Sequence, residues 1–126
     1  MAKQLVNTEG VARAGGAYSP CLRAGGFIFV AGQGPMDPAT GKIAGDTIEE
    51  QTKVTLENSR TQLATAGCTF ADVFKVNVYL TDLAEWPRFN AVYREWLPEP
   101  RPVRTAVQAG LLMNLKVEIE MWAVKK

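Results

Sequence analysis

Histidine is absent from this chain, and only two cysteines occur, Cys21 and Cys68. The first absence excludes a Ser-His-Asp triad, a Cys-His pair and any zinc site built on imidazole. Two thiolates alone cannot close a zinc site either. Acid–base work near neutral pH therefore falls to a carboxylate, a tyrosine, a lysine or a bound water. Charge of one sign is not in excess. The formal net charge is +1, and no long basic run is present. That argues against a dedicated nucleic-acid or membrane-surface binder, which needs a concentrated positive field. No stretch approaches the ~20 apolar residues of a membrane span, and Met1-Ala2-Lys3-Gln4-Leu5-Val6 is too polar for a signal peptide. These absences predict a cytoplasmic protein with two free thiols, a Cys21–Cys68 disulfide being the alternative. Repeats, low-complexity stretches and linkers are also missing.

What is present fits one domain over residues 1–126. Hydrophobic residues make up 47% of the chain, enough for a packed core. Phe27 to Gly32 is an apolar run bounded by turn signals and predicts a buried strand. Cys21 to Ala24 is its hairpin partner across Gly25-Gly26, and Gln4 to Val6 adds a short edge strand. Gly34 to Lys42 is a loop rich in turn formers. A helix is expected from an Asp46 cap with Glu49 three residues on, and Gly67 is its stop. Leu56, Ser59, Leu63 and Ala66 fall on one face, a thin stripe of small and medium side chains. Phe74, Val76, Val78 and Leu80 alternate with polar residues, as on a strand with one buried face. A second helix carries Pro87 in its first turn. Its stripe of Trp86, Phe89, Tyr93 and Trp96 or Leu97 reads as core, and Pro98 and Pro100 end it. Val103 to Ala109 and Lys116 to Val124 are further strands. The order predicts an α+β fold with two helices on one face of a mixed six-stranded sheet. The other face lacks a cover, which predicts a homo-oligomer of closed symmetry.

Few residues stand out chemically. Arg104 sits among apolar strand residues. It is either an edge residue snorkelling to water or a bidentate clamp on a carboxylate. Glu118 and Glu120 share a strand face with Trp122. That face is either solvated, or a subunit cleft where one glutamate holds a water. Tyr18 lies in a glycine-rich loop running from Gly15 to Pro20, where it could cover a ligand or pack the loop down. No Gly-Lys-Ser/Thr follows, so this is not a phosphate loop. Neither cysteine has a cation or base beside it in sequence, so both read as structural.

Several segments together resemble the reactive-intermediate deaminase family (Rid, also called YjgF). They are Gly16-Ala17-Tyr18-Ser19, Phe29 to Pro35, Asp37 to Gly41, Glu50-Gln51-Thr52, Val73 to Leu80, Phe89 to Tyr93, Arg101 to Thr105 and Val117 to Glu120. The resemblance spans nearly the whole chain. It implies a chorismate-mutase-like fold whose sheets pack into a trimer barrel, with ligand clefts between neighbouring subunits. It also implies hydrolysis of 2-aminoacrylate-like imine and enamine acids to 2-keto acids and ammonia, with no metal or organic cofactor. Position by position, Arg104 matches the carboxylate-binding arginine and Glu118 the glutamate that holds the attacking water. Tyr18, Gly32, Asn90 and Ala106 match substrate-binding positions. Ala106 replaces a frequent cysteine, Ala31 a serine and Ala17 a proline, so the substrate is less defined than the reaction. A larger enamine acid such as 2-aminomuconate, a small-acid-binding trimer without turnover, and an endoribonuclease are the rival readings. The missing histidines and near-neutral charge count against the last.

Overall fold

The computed structural model describes residues 2–6 and 16–125. Six strands form one sheet: β1 (Lys3–Leu5), β2 (Cys21–Ala24), β3 (Phe27–Gln33), β4 (Val73–Leu80), β5 (Val103–Gln108) and β6 (Val117–Val124). Their spatial order is β1-β2-β3-β6-β4-β5. Only the β4–β5 pair is parallel, so the sheet is mixed as expected. Two helices, α1 (Ile48–Thr65) and α2 (Trp86–Trp96), pack on one face. The β2–β3 hairpin turns at Gly25-Gly26, where Gly25 takes φ +60° and a side chain would be strained.

The start of α1 is one residue later than the expected Asp46 cap. Gly45 has φ +95° and turns the chain, leaving Thr47 as the first extended residue before the helix. The Thr47 hydroxyl accepts the Glu50 N–H at 3.1 Å, and Glu49 instead pairs with Arg88 at 2.7 Å. The helix stops where Gly67 predicts. With φ +73°, Gly67 donates its N–H to the Ala64 carbonyl while Cys68 donates to Leu63, both at 3.0 Å. These two bonds are a Schellman closure. Leu56, Ser59, Leu63 and Ala66 are all buried, as their spacing requires.

The strict alternation expected for β4 fails at its start. A register shift against β6 between Val73 and Lys75 inserts one extra residue. Val73 is buried and Phe74 turns to the uncovered face. From Val76 onward the alternation holds, with Val76, Val78 and Leu80 in the core. At the end of α2, Leu97 is the buried residue, while Trp96 packs partly against Phe70. Cys21 and Cys68 are both buried and free, so the disulfide alternative is not realised. Burial pushes both thiols up in pKa, away from the reactive thiolate.

The uncovered face is apolar and aromatic. Phe27, Phe29, Phe74 and Trp122 form a chain of edge and tilted ring contacts with centroids 5.6–6.4 Å apart. Phe74 is 36% and Trp122 37% exposed, and Val103, Val107 and Val124 are exposed as well. Among the described residues no helix is long and apolar enough to cross a membrane.

Candidate functional site

Arg104 stands on β5, an edge strand, opposite Val76 of β4. Val76 is fully buried on the helix face, so Arg104 also points to that face. There it meets α2. Trp86, Asn90 and Tyr93 recur at helical spacing and present one stripe to the arginine. The guanidinium carbon lies 4.7 Å from the ring centroids of both Trp86 and Tyr93. One terminal nitrogen donates to Asn90 Oδ1 at 2.8 Å. Among the described residues no carboxylate pairs with Arg104. The side chain is thus held in orientation by rings and an amide, with most of its five donors free.

A cavity of about 300 Å³ opens beside it, lined by Asn90, Tyr93, Arg94, Arg101, Pro102 and Arg104. Tyr93 is 2% exposed, yet its hydroxyl has no hydrogen-bond partner among the described residues. Burial raises its pKa and the Arg104 charge opposes that rise. Tyr93 at this site was not legible beforehand. Its helical spacing with Phe89 reads as core, and both its ring and its hydroxyl are buried, the hydroxyl beside the Arg104 charge.

Glu118 occupies the other side of the sheet. It pairs with Tyr79, which alternates out from the buried Val78 and Leu80. Its own neighbours Val117 and Ile119 are fully buried. Burial raises the Glu118 pKa, and the nearby Glu120 carboxylate raises it further. Glu120 is fixed by Tyr79, whose hydroxyl donates at 2.5 Å, and by Asn77 at 3.1 Å. That bond pushes the Tyr79 pKa up to about 12. Gly32 lies against Glu118 at a register shift in β3. A Cβ there would stand 2.9 Å from the Glu118 carboxyl carbon, so only glycine fits while Glu118 keeps this position.

The anticipated residues therefore fall into two groups. Arg104 and Asn90 are in contact, and Ala106, opposite Val78, shares their face. Glu118 and Gly32 are together on the opposite face. Tyr18 joins neither group within the chain. It is exposed, its N–H donates to the Gly16 carbonyl at 2.9 Å, and it does not line the Arg104 cavity. Gly15, the first residue of its loop, lies outside the described residues. Among the described residues no cluster of His, Cys, Asp and Glu could hold a metal ion.

Comparison with known proteins places this geometry. The family model described as Endoribonuclease L-PSP matches residues 9–125. A RutC family protein of Pyrococcus abyssi (strain GE5 / Orsay) is 43% identical over 127 residues, spanning 100% of both chains. Reactive Intermediate Deaminase A, chloroplastic, of Arabidopsis thaliana is 35% identical over 119 residues, spanning 94% of this chain and 64% of that relative. The crystal structure of Escherichia coli TdcF with bound serine superposes with a TM-score of 0.89 at 31% identity, covering 98% of this chain and 99% of that one. With the sheet order, the two helices and these similarities together, the chain belongs to the L-PSP/RutC family, whose relatives include proteins named reactive intermediate deaminases.

Proposed function

We propose that this chain hydrolyses small imine and enamine acids to 2-keto acids and ammonia, with Arg104 anchoring the substrate carboxylate. The observation that carries this reading is the state of Arg104. Its guanidinium is stacked on two rings, fixed by Asn90, unpaired by any described carboxylate and open to a cavity. A planar fork so held suits a carboxylate better than an ammonium would. The serine bound in the structure of the relative TdcF, an amino acid with a carboxylate, agrees with a ligand of this class.

In the reaction, the oxygen of a water adds to the imine carbon, the C–N bond breaks, and ammonia leaves as the carbonyl forms. An enamine reaches the same point after its double bond shifts to the imine. Arg104 stays protonated and cannot act as the base. Glu118 is the group we assign to hold and deprotonate the water. Its raised pKa brings it closer to the working range of a general base. Gly32 leaves room for its carboxyl.

Arg104 and Glu118 lie on opposite faces of one sheet, so one chain cannot bring both to one substrate. The site we propose is completed by Glu118, Gly32 and Tyr18 of a neighbouring copy in a homotrimer. The exposed aromatic face is the surface those copies would bury. Residues 1–126 act as a single domain in this reading, without metal or organic cofactor. The two unpaired thiols fit a cytoplasmic location.

The test is Arg104→Ala assayed for keto-acid release from 2-iminopropionate generated in situ. The expected result is loss of all acceleration with the oligomer intact. Full activity in the variant contradicts the proposal. Carboxylate binding by the wild type with no ammonia release across several imines would favour a small-acid-binding trimer instead.

A further inference from the structure

The cavity beside Arg104 holds more positive charge than one carboxylate can answer. Three of its six lining residues are arginines, Arg94, Arg101 and Arg104, and none is acidic. Arg101 donates to Glu99 at 2.9 Å, but Glu99 is 78% exposed and lies outside the lining. Among the described residues no carboxylate pairs with Arg94 or Arg104. Three guanidinium groups around one cavity repel one another, and an anion that reaches them all relieves that repulsion.

Arg101 is also held in place. Its second terminal nitrogen donates to the Arg94 carbonyl at 3.3 Å, tying the chain after α2 back to the helix. Pro102 follows it and keeps its backbone extended. Arg101 precedes β5 and Arg104 lies within it, and both line the cavity. Five N–H donors on a guanidinium leave Arg101 three after its two protein contacts. Tyr93 lines the same space, with its hydroxyl buried beside the Arg104 charge.

We propose that the cavity takes a dicarboxylic imino acid, with the carboxylate beside the imine carbon on Arg104 and the distal carboxylate on Arg101 and Arg94. This rests on the reading of Arg104 as the carboxylate anchor and adds the class of acid that it anchors. A monocarboxylic imine held by Arg104 leaves Arg94 without a carboxylate and Arg101 with the exposed Glu99 alone.

The experiment compares 2-iminoglutarate with 2-iminopropionate, each generated in situ by an amino-acid oxidase. The wild type should favour the dicarboxylate by about tenfold in kcat/KM, the scale of one partly exposed charged contact. Arg101→Gln and, separately, Arg94→Gln should each lower that ratio, whereas Arg104→Ala should depress turnover of both substrates. A wild-type ratio near one overturns the proposal, as does an unchanged ratio in both glutamine variants. If neither imine is hydrolysed, the deaminase reading fails, and calorimetric titration decides the charge question alone. Glutarate binding about tenfold tighter than butyrate, with the difference lost in Arg101→Gln, then supports the dianion site. Equal binding of the two acids overturns it.

Discussion

Each of the residues that matter here is defined by what its side chain is denied. Arg104 is denied a carboxylate, Tyr93 a hydrogen-bond partner, Glu118 full hydration, and Gly32 a Cβ. Glu118 carries a cost that depends on pH. Its pKa is raised on folding, so its contribution to stability is fully present below the ordinary glutamate value and is lost as pH rises through the higher folded value. Glu118→Gln removes that loss. In urea titrations across the acid range, the variant should gain on the wild type as pH rises, then hold a constant advantage. A constant difference at every pH would contradict the burial of a titrating Glu118. Gly32→Ala forces Glu118 from its place, since the new methyl would meet the carboxyl carbon at 2.9 Å. Imine hydrolysis should fall by on the order of tenfold or more, because small misplacements are costly in positioned catalysis. Unchanged turnover in that variant would detach Glu118 from the reaction.

At the scale of the element, α2 does two jobs with one sequence. Trp86, Phe89 and Tyr93 stack along it with centroids 5.3 and 5.7 Å apart, so the bed under Arg104 is an extension of the core. Phe89 is fully buried. Phe89→Ala should cost about 3–5 kcal/mol in denaturant unfolding and loosen both rings that hold Arg104. A loss of stability with the KM for imine unchanged would show that the bed does not depend on Phe89. Much of this level was legible in the chain. Helical spacing gave α2, alternation gave most of β4, and glycine gave the hairpin and the end of α1. The exceptions have local causes. Thr47 replaces Asp46 as cap because Gly45 turns the chain one residue later than spacing alone suggests. Phe74 leaves the core because a bulge, set by pairing with distant β6, flips the alternation. The separation of Arg104 from Glu118 was illegible for the same reason. It depends on which residues face each other across β4, β5 and β6, and no local pattern carries that information.

At the scale of the whole molecule, the covered face of the sheet presents Arg104 and the uncovered face presents Glu118 between aromatic and aliphatic side chains. The oligomer and the site are then one question. Trp122→Glu places a charge among Phe29 and Phe74, which contact Trp122 at 5.6 and 6.4 Å. Light scattering should report smaller species, and turnover should fall with the oligomer. An active monomer would refute the shared site. Mixing variants asks the question directly. Arg104→Ala and Glu118→Gln should each be inactive alone. In the proposed trimers, refolded from an equal mixture, about a quarter of the interfaces pair an intact Arg104 with an intact neighbouring Glu118. Imine hydrolysis by the mixture should therefore return to about that fraction of the wild-type rate. A mixture as inactive as its two parents would contradict the shared site.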